Sequence, residues 1–477
     1  YHLIKRKVGY NELKKIKKFP LFRRGQFRGG LIVIQENTRV QPFVNLASRT
    51  IGYTNKGEAG TIVGIEGAYD KFLKGVEGKR LMQKISGGVW MPVNDDNEVE
   101  PKDGMDIITT IDVNIQDVAQ NALLRQLKMQ NAHHGTAVLM EVQTGEIKAI
   151  ANLTLDEFGN YQEDYNYAIG ESTEPGSTFK LACIMAALED GYIEPDDSID
   201  TGNGITRYHG VKMTDSKKGG YGKITVQKAF EVSSNVGISK IINKYYQGKN
   251  EKQFVNRLYG FGLNKKLGIE IKGEGAPYIK FPGDTLWSGL SLPWMSIGYE
   301  LQLTPLQILT FYNAVANNGK MVKPKFVKEI QYHGKTVSRF KTEILNPMIC
   351  SRSTIRKAKK MLEGVVERGT ARNLRNDNFK IAGKTGTAQI ANRKYGYSYR
   401  SKVSYQASFV GYFPADDPKY SCIVVVNAPS RQVYYGNLVA GPIFKEIADK
   451  IYSTNLEIHP KTHFDEEKFA MEIPYSK

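Results

Sequence analysis

Cysteine is scarce in this chain, with three residues among 477: Cys183, Cys350 and Cys422. They are far apart in the sequence and form no CxxC pair and no Cys/His cluster. The sequence therefore predicts neither a disulfide framework nor a zinc site. The seven histidines have no ligand or triad spacing either, so we expect no metal and no cofactor. The three thiols are expected to be buried in strands and helices.

Long apolar runs are also missing. The chain has no stretch of about 18 apolar residues, the length that a membrane-spanning helix requires, and no signal peptide is visible. Because the sequence begins at Tyr1 without a methionine, we expect a fragment from which an N-terminal segment has been removed. No internal repeat is present. With 41% hydrophobic and 24% charged residues, the composition indicates a folded globular protein over most of its length.

Acidic residues are outnumbered by basic ones, and the formal net charge is +17. The basic residues are concentrated in the first thirty positions and in the segment "ANRKYGYSYRSK". This charge indicates an anionic neighbour, such as nucleic acid, a phospholipid surface or an acidic polymer, and the charge alone does not choose among them. A solvated basic face is the simpler interpretation of each patch taken singly.

Two blocks and a polar tail are predicted. Residues 1–103 mix short β-like runs such as "NLASRTIGY" with glycines and a helical piece near "AYDKFLKG". Residues 104–457 begin with an amphipathic helix in "IDVNIQDVAQNALLRQLKMQ" and a hairpin that turns at 143–146. Helices over 178–190, 226–246 and 304–316, three strands and a last helix from Pro442 follow. This order predicts an α+β fold with a central antiparallel sheet flanked by helices, and 458–477 as the tail.

The first candidate motif is "EPGSTFK", in which Ser177 precedes Lys180 by three residues at a predicted helix start. Side chains at this spacing are neighbours on one helix face. A lysine that is partly buried or near another cation loses its charge more readily and can then take the proton of a serine hydroxyl. The pattern alone is weak, because Ser338 and Lys341 repeat it in a polar stretch without a helix start. We interpret that second copy as coincidence.

The second candidate motif is Ser233, Ser234 and Asn235, in "EVSSNVGISK", within the predicted helical region. A second hydroxyl can relay a proton, and a carboxamide can hold an amide substrate. The plain alternative is a helix cap.

The third candidate motif is "GKTGTAQ", which places Lys384, Thr385, Gly386 and Thr387 on a predicted strand. A cation and hydroxyls suit a carboxylate, and a glycine lets an extended ligand approach the backbone. An edge strand with a bulge is the plain alternative. Each motif alone is weak evidence, but the order SxxK, SxN, KTG is specific as a set.

Together the three motifs resemble the penicillin-binding protein and serine β-lactamase superfamily. Further segments covering most of residues 28–450 are similar to the high-molecular-mass class B penicillin-binding proteins, among them "GIEGAYDKFLKGVEGKR", "EVQTGEIKAIA", "SIGYELQLTPLQ", "ERGTA" and "AGPIFKEIA". The resemblance implies a non-catalytic pedestal over 1–103 and a D,D-transpeptidase domain over 104–457. It also implies the periplasmic side of the inner membrane and a single N-terminal anchor that this chain does not contain, with the basic start lying near the membrane or the anionic wall.

The resemblance further implies a catalytic role for five residues. Ser177 would attack the carbonyl of the penultimate D-alanine of a stem pentapeptide and form an acyl-enzyme. Lys180 would be the general base, its ammonium form disfavoured partly by Lys384. Ser233 would pass the proton to the leaving amine, and Asn235 would bind the peptide amide.

Other residues of the motifs would bind substrate. Ser234, Thr385, Gly386 and Thr387 are the substrate-binding residues that the resemblance implies, the two threonine hydroxyls taking the terminal carboxylate. The backbone N–H groups of Ser177 and Thr387 would form the oxyanion hole. Penicillins should acylate Ser177 and remain attached.

A division-type enzyme is favoured within class B, because elongation-type members often carry aspartate where this chain has Asn235, and because the spacing between the motifs is short. The implied partners are peptidoglycan stem peptides, β-lactam antibiotics, a septal glycan polymerase and other divisome proteins, whose contact we expect at residues 28–80. Nucleic acid is not expected. The amine acceptor and the roles of loop 391–404 and of the tail are not predicted.

Other classes fit less well. A β-lactamase would need a water-activating base and no N-terminal block of a hundred residues, and a β-lactam sensor or inactive scaffold would bind without turnover. An elongation-type transpeptidase stays open. A P-loop would require glycine where the chain has Asn378, and the hydrolase elbow GxSxG fails at Pro293.

Overall fold

The computed structural model describes residues 2–33, 40–43, 45–53, 63–79, 81–85, 89–92, 99–390, 403–431 and 433–455. The chain divides into two compact units, Tyr1–Val44 and Asn45–Lys477. The predicted boundary between pedestal and catalytic domain at 103–104 stays a prediction. The predicted C-terminal tail, 458–477, lies outside the described residues. Residues 391–402 of the loop 391–404, for which no role is predicted, also lie outside them.

Helices and strands alternate along the described residues. In chain order the α-helices are α1 (Tyr10–Ile16), α2 (Gly25–Gly29), α3 (Ser48–Ile51), α4 (Gly64–Ala68), α5 (Asp70–Leu73), α6 (Val113–Gln130), α7 (Tyr167–Gly170), α8 (Lys180–Glu189), α9 (Val226–Glu231), α10 (Asn235–Tyr246), α11 (Glu251–Gly260), α12 (Ser291–Met295), α13 (Pro305–Ala316), α14 (Arg352–Arg368), α15 (Gly436–Val439) and α16 (Gly441–Thr454). Three-residue or four-residue 3-10 helices lie at Phe22–Arg24, Gly176–Phe179 and Arg372–Leu374.

The strands are mostly short outside the C-terminal half of the larger unit. They are β1 (Met82–Ile85), β2 (Val89–Pro92), β3 (Asp106–Thr109), β4 (His134–Glu141), β5 (Ile147–Leu155), β6 (Tyr161–Gln162), β7 (Ser198–Asp200), β8 (Ile205–Tyr208), β9 (Val211–Thr214), β10 (Lys223–Thr225), β11 (Tyr278–Ile279), β12 (Leu301–Gln302), β13 (Met321–Val322), β14 (Val327–Tyr332), β15 (Lys335–Arg339), β16 (Ile344–Asn346), β17 (Ala382–Gln389), β18 (Tyr405–Phe413) and β19 (Tyr420–Asn427).

A six-stranded antiparallel sheet is the centre of the larger unit, in the order β17-β18-β19-β4-β5-β6. Strands β4 and β5 are the predicted hairpin, and β17, β18 and β19 are the three strands predicted near the C-terminus. Strand β17 lies at one edge and pairs with β18 in unbroken register from Ala382↔Tyr412 to Gln389↔Tyr405. The third motif is therefore on an edge strand, but without a bulge.

Helices cover both faces of this sheet, as predicted. On β19, Ser421 donates a hydrogen bond to Asn313 of α13 at 2.7 Å. Because side chains alternate along a strand, Val424 points to the opposite face. Its partner across the ladder, Phe409, packs edge-on against Phe444 of α16, with ring centroids 4.8 Å apart. Helices α13 and α16 therefore lie on opposite faces, and the predicted α+β architecture is confirmed.

One predicted β-like run is wrong. "NLASRTIGY" contains α3, whose Ser48 hydroxyl and Arg49 N–H both donate to the carboxylate of Glu163. A buried acceptor at the start of a helix satisfies N–H groups that have no intrahelical partner. This long-range contact is invisible in the local sequence, and it favours the helical turn over an extended strand.

The three cysteines are buried and unpaired. Cys183 lies in α8 and Cys422 in β19, as predicted, whereas Cys350 lies in a bend just before α14. Among the described helices, none is both long enough and apolar enough to cross a bilayer. Over the same residues, no group of three or more His, Cys, Asp or Glu side chains is placed to hold a metal ion.

Candidate active site

The predicted nucleophile lies in a tightly packed turn. Ser177 belongs to the 3-10 helix Gly176–Phe179, which runs directly into α8 at Lys180. Side chains three apart eclipse in a 3-10 helix, so Ser177 and Lys180 share a face as predicted. Gly176 has φ 57°, and a Cβ on Gly298 would lie 2.0 Å from the Gly176 carbonyl oxygen. Both positions need glycine, because the turn that contains Ser177 is packed against its neighbours without space for a side chain.

Lys180 is fully buried and faces the second motif. Its Nζ donates to the carbonyl oxygen of Ser233 at 2.8 Å, to Ser233 Oγ at 3.1 Å and to Asn235 Oδ1 at 2.6 Å. Burial lowers the pKa of Lys180 to about 7, and the negative charge of Asp215 opposes this shift. Within the described residues, no hydrogen bond joins Lys180 to Ser177. Lys180 therefore titrates near neutral pH, one turn from the predicted nucleophile.

The second motif lies where the predicted continuous helix over 226–246 is broken, so that prediction is wrong here. Helix α9 ends at Glu231, and α10 begins at Asn235. Ser234 is the N-cap of α10, and its Oγ accepts from the N–H of Gly237 at 2.8 Å. Such a cap starts a new helix because it satisfies a free donor of the first turn. The residue before it, Ser233, takes φ 57°, and its carbonyl and hydroxyl oxygens both contact Lys180.

Asp215 is a site residue that the sequence analysis missed. Its carboxylate accepts from Ser234 Oγ at 3.0 and 2.9 Å and from the N–H of Val236 at 3.0 Å. It also lies at the N-terminus of α10, where the helix dipole favours a negative charge. Asp215 is 19 residues from Ser234 in the sequence. No local motif could therefore have identified it, and it anchors the second motif to the end of β9.

Two predicted substrate contacts are already engaged within the protein. Ser234 is 1% exposed and caps α10, so the geometry gives it a structural role and we leave it out of the substrate site. The Asn235 carboxamide accepts from Lys180 and donates from Nδ2 to the carbonyl of Thr214 at 2.9 Å. One N–H and one lone pair of this carboxamide remain available for a peptide amide.

Lys384 approaches the same serine from β17. It is fully buried, and its Nζ donates to Ser233 Oγ at 2.8 Å and to the carbonyl of Thr385 at 3.1 Å. The Nζ also lies 5.7 Å from the centroid of the Phe230 ring. One serine hydroxyl therefore lies between two buried lysines that come from different elements of the fold.

The sequence predicts that Lys384 disfavours the ammonium form of Lys180, and the structure brings both Nζ atoms to one hydroxyl. Burial lowers the pKa of Lys384 well below its usual range, and repulsion by Lys180 lowers it further. Both effects disfavour the ammonium form of Lys384. Burial is the largest cause of the lowered pKa of Lys180, and the contribution of Lys384 stays a prediction.

The other residues of the third motif lie on the same edge strand, β17. Thr385 Oγ1 is 2.7 Å from Thr370 Oγ1, and Thr387 Oγ1 accepts from the N–H of Gly436 at 3.3 Å. A Cβ on Gly386 would lie 2.2 Å from a hydroxyl of β18, so this position also needs glycine. Strand β17 contacts the 3-10 helix that carries Ser177. An extended ligand could add alongside such an edge strand by main-chain hydrogen bonding.

The second copy of the SxxK pattern lies in a different structural environment. Ser338 lies in the exposed strand β15 and Lys341 follows it outside any helix. No turn of helix brings their side chains to one face, which supports the interpretation of this copy as coincidence.

Comparison with known proteins identifies the family to which the chain is similar. Residues 135–449 match the family model described as the penicillin binding protein transpeptidase domain. The chain is 29% identical over 452 residues to stage V sporulation protein D of Bacillus subtilis, covering 93% of this chain and 67% of that protein. It is 28% identical over 450 residues to the peptidoglycan D,D-transpeptidase FtsI of Escherichia coli K12, covering 93% of this chain and 72% of that protein.

A solved structure of this family has a similar fold. The structure of penicillin-binding protein 3 from Mycobacterium tuberculosis complexed with aztreonam superposes with a TM-score of 0.74 at 26% sequence identity, covering 89% of this chain and 92% of that one. All three motifs described above fall within the matched range 135–449, which is more than half of the chain. The chain therefore belongs to the penicillin-binding protein transpeptidase family.

Proposed function

We propose that this protein is a serine D,D-transpeptidase that cross-links peptidoglycan stem peptides through an acyl-enzyme on Ser177. The observation that carries the proposal is the hydroxyl of Ser233, held between the buried Nζ atoms of Lys180 and Lys384, with Ser177 one turn before Lys180. Groups for proton removal, proton relay and anion binding then meet beside one nucleophile. The names of the relatives, including a D,D-transpeptidase and a β-lactam complex, support the same reaction.

The reaction would proceed in two acyl transfers. Ser177 Oγ attacks the carbonyl carbon of the penultimate D-alanine while its proton passes to neutral Lys180. The tetrahedral intermediate collapses as the C–N bond breaks, the leaving D-alanine amine receives a proton through Ser233, and a serine ester remains. An amine from a second stem peptide then attacks the ester, which forms the new amide and returns the proton to the Ser177 oxygen.

The oxyanion of each intermediate would be bound by two backbone N–H groups. Ser177 is in the first turn of a helix, where N–H groups have no intrahelical acceptor, and Thr387 is on an edge strand, where alternate N–H groups have no partner strand. One such donor typically contributes about 2.7–4 kcal/mol to transition-state stabilisation.

The substrate itself would set the charges of the two lysines. The terminal carboxylate would bind at Thr385 and Thr387, close to Lys384. A nearby negative charge favours the protonated form of a lysine. Lys384 would then carry the charge when substrate is bound, and Lys180 would be the neutral member of the pair and act as the base.

Acylation should accordingly become faster as the pH rises. Only neutral Lys180 can accept the proton, and its pKa is about 7. The second-order rate constant for acylation by a penicillin is therefore expected to rise about tenfold per pH unit below about pH 7 and to level off above it. Thermal unfolding in the same buffers controls for loss of fold. A rate constant that is flat, or that falls through this range, would rule out Lys180 as the base.

We also propose a division-type role at the septum. Asn235 at the third position of the second motif supports it, as do the FtsI names among the relatives. In this role the chain works on the periplasmic side of the inner membrane, with a septal glycan polymerase and other divisome proteins as partners. Depletion of the protein should give cells that elongate without septa, whereas swollen cells that still divide would indicate an elongation-type enzyme.

The activity can be tested with a fluorescent penicillin, followed by intact mass and a chase with unlabelled drug. A stable adduct of one penicillin per chain is expected. Rapid release of hydrolysed drug would assign the protein to the β-lactamases. An adduct together with no cross-linking of stem peptides would assign it to the β-lactam sensors.

A further inference from the structure

Thr370 lies outside the three motifs but contacts the third one. It follows α14, in the loop that "ERGTA" forms, and its Oγ1 is 2.7 Å from Oγ1 of Thr385. Thr385 is 7% exposed, and Thr370 is partly exposed. The pair thus lies at the edge of the proposed carboxylate site, with Thr370 as the outer member.

The loop that carries Thr370 is fixed by α9. Glu231, the last residue of that helix, has a side chain that is 1% exposed and forms an ion pair with Arg368 at 2.7 Å. The carbonyl oxygen of Glu231 accepts from the N–H of Thr370 at 3.0 Å. A Cβ on Gly369 would lie 2.3 Å from that same oxygen. The segment that leads into Ser233 therefore also sets the position of Thr370, which links the second motif to the third.

The direction of the hydrogen bond between the two threonines decides what Thr385 can offer. Each hydroxyl has one proton to donate. If Thr385 donates to Thr370, it has none left for a ligand. If Thr370 donates to Thr385, the Thr385 proton is free for a carboxylate, which can only accept. A chain of donors that ends on an anion is also strengthened cooperatively, so an arriving carboxylate favours the second direction.

We propose that Thr370 is a positioning residue that makes the site selective for a substrate carboxylate, by donating its proton to Thr385 and so directing the Thr385 proton to the anion. This inference rests on the proposed function, in which Thr385 binds the terminal carboxylate. Thr370 acts through Thr385 and does not itself contact the reacting atoms.

The test compares two acyl donors that differ in one group: a peptide thioester that ends in a carboxylate, and the same thioester with a terminal carboxamide. Thr370→Val keeps the shape and removes the hydroxyl. It is expected to raise KM for the carboxylate donor about fivefold, the effect of losing the one neutral hydrogen bond that orients the Thr385 hydroxyl, with kcat changed less than about twofold. The carboxamide donor should be affected less than about twofold. Thr370→Ser should restore the wild-type KM.

Matched controls separate this role from packing. Thr342→Val removes a surface hydroxyl that donates to the carbonyl of Thr144 at 3.2 Å, far along the sequence from the motifs, and it should change neither KM. In a double-mutant cycle, Thr385→Val combined with Thr370→Val should cost no more than Thr385→Val alone, because Thr370 acts through Thr385.

The outcomes are distinguishable. Equal losses with the two donors, or wild-type KM with both, would overturn the positioning role while leaving the proposed function in place. Failure of Thr370→Ser to restore KM would also overturn it. A wild-type chain that is acylated by neither donor would overturn the proposed function and this inference with it.

Discussion

Replacing Ser177 with alanine is expected to abolish covalent labelling by penicillin. The side chain lies in the turn that packs against β17 and the loop at Gly298, and the proposed ester forms on its oxygen. Removal of the nucleophile costs about six orders of magnitude in a serine protease, and we expect an effect of that size on acylation. The rate is measured by intact mass after incubation with excess drug. Because alanine is smaller and fits the same turn, thermal unfolding should change little.

The sequence provides a matched control for this experiment. Ser338 has the same spacing to Lys341 that Ser177 has to Lys180, but it lies in an exposed strand. Ser338→Ala should be labelled at the wild-type rate. If labelling survived in Ser177→Ala and disappeared in Ser338→Ala, the nucleophile would be Ser338, which would contradict the proposal.

Replacing Lys180 with methionine is expected to have the second largest effect. Methionine has similar length and no basic nitrogen, so Ser177 keeps its position but has no group to accept its proton. General base catalysis typically contributes about 100-fold to 10,000-fold, and acylation should slow by that amount. The rise of the rate through about pH 7 should vanish as well, because the group with a pKa of about 7 is gone. Both effects are measured by intact-mass spectrometry of samples quenched at set times over the pH range.

A change in the stability of the fold is not expected to explain the slower acylation of Lys180→Met. The folded state lowers the pKa of Lys180 from 10.5 to about 7, so between these values the unfolded chain binds more protons and stability decreases as the pH falls. At neutral pH this proton linkage destabilises the fold and offsets part of the stabilisation from the three hydrogen bonds that Lys180 Nζ donates, so the unfolding temperature of Lys180→Met should change little. Lys341→Met is the matched control and should be acylated normally. A Lys180→Met variant that is acylated at the wild-type rate with an unchanged pH profile would remove Lys180 from the mechanism.

The sheet and its covering helices could be predicted from the sequence, because their signals are local. The β4–β5 hairpin has a clear turn between two apolar runs, and α13 begins with the Thr304 cap and a proline. Strands β18 and β19 are rich in β-branched and aromatic residues, and the turn "ADDP" separates them. Each of these elements carries its own pattern, and the structure confirms them.

The details of the site depend on contacts between distant residues, which local patterns do not reveal. The chain between α9 and α10 looks helical on both sides, yet Ser234 caps a new helix there with support from Asp215. The pKa values of the two lysines are lowered chiefly by burial, which the spacing of the motifs does not reveal. Thr370 lies in "ERGTA", a segment to which the sequence assigns no role, and the fold of the loop after α14 brings it to Thr385.

The most direct test of the central claim is peptide mapping of the wild-type chain after reaction with penicillin at neutral pH. The account predicts a single modified peptide that contains "EPGSTFK", with the added mass of one intact penicillin on Ser177 and a faster appearance of this adduct at higher pH. An adduct on any other residue, or no adduct under conditions in which the folded chain is intact, would contradict it.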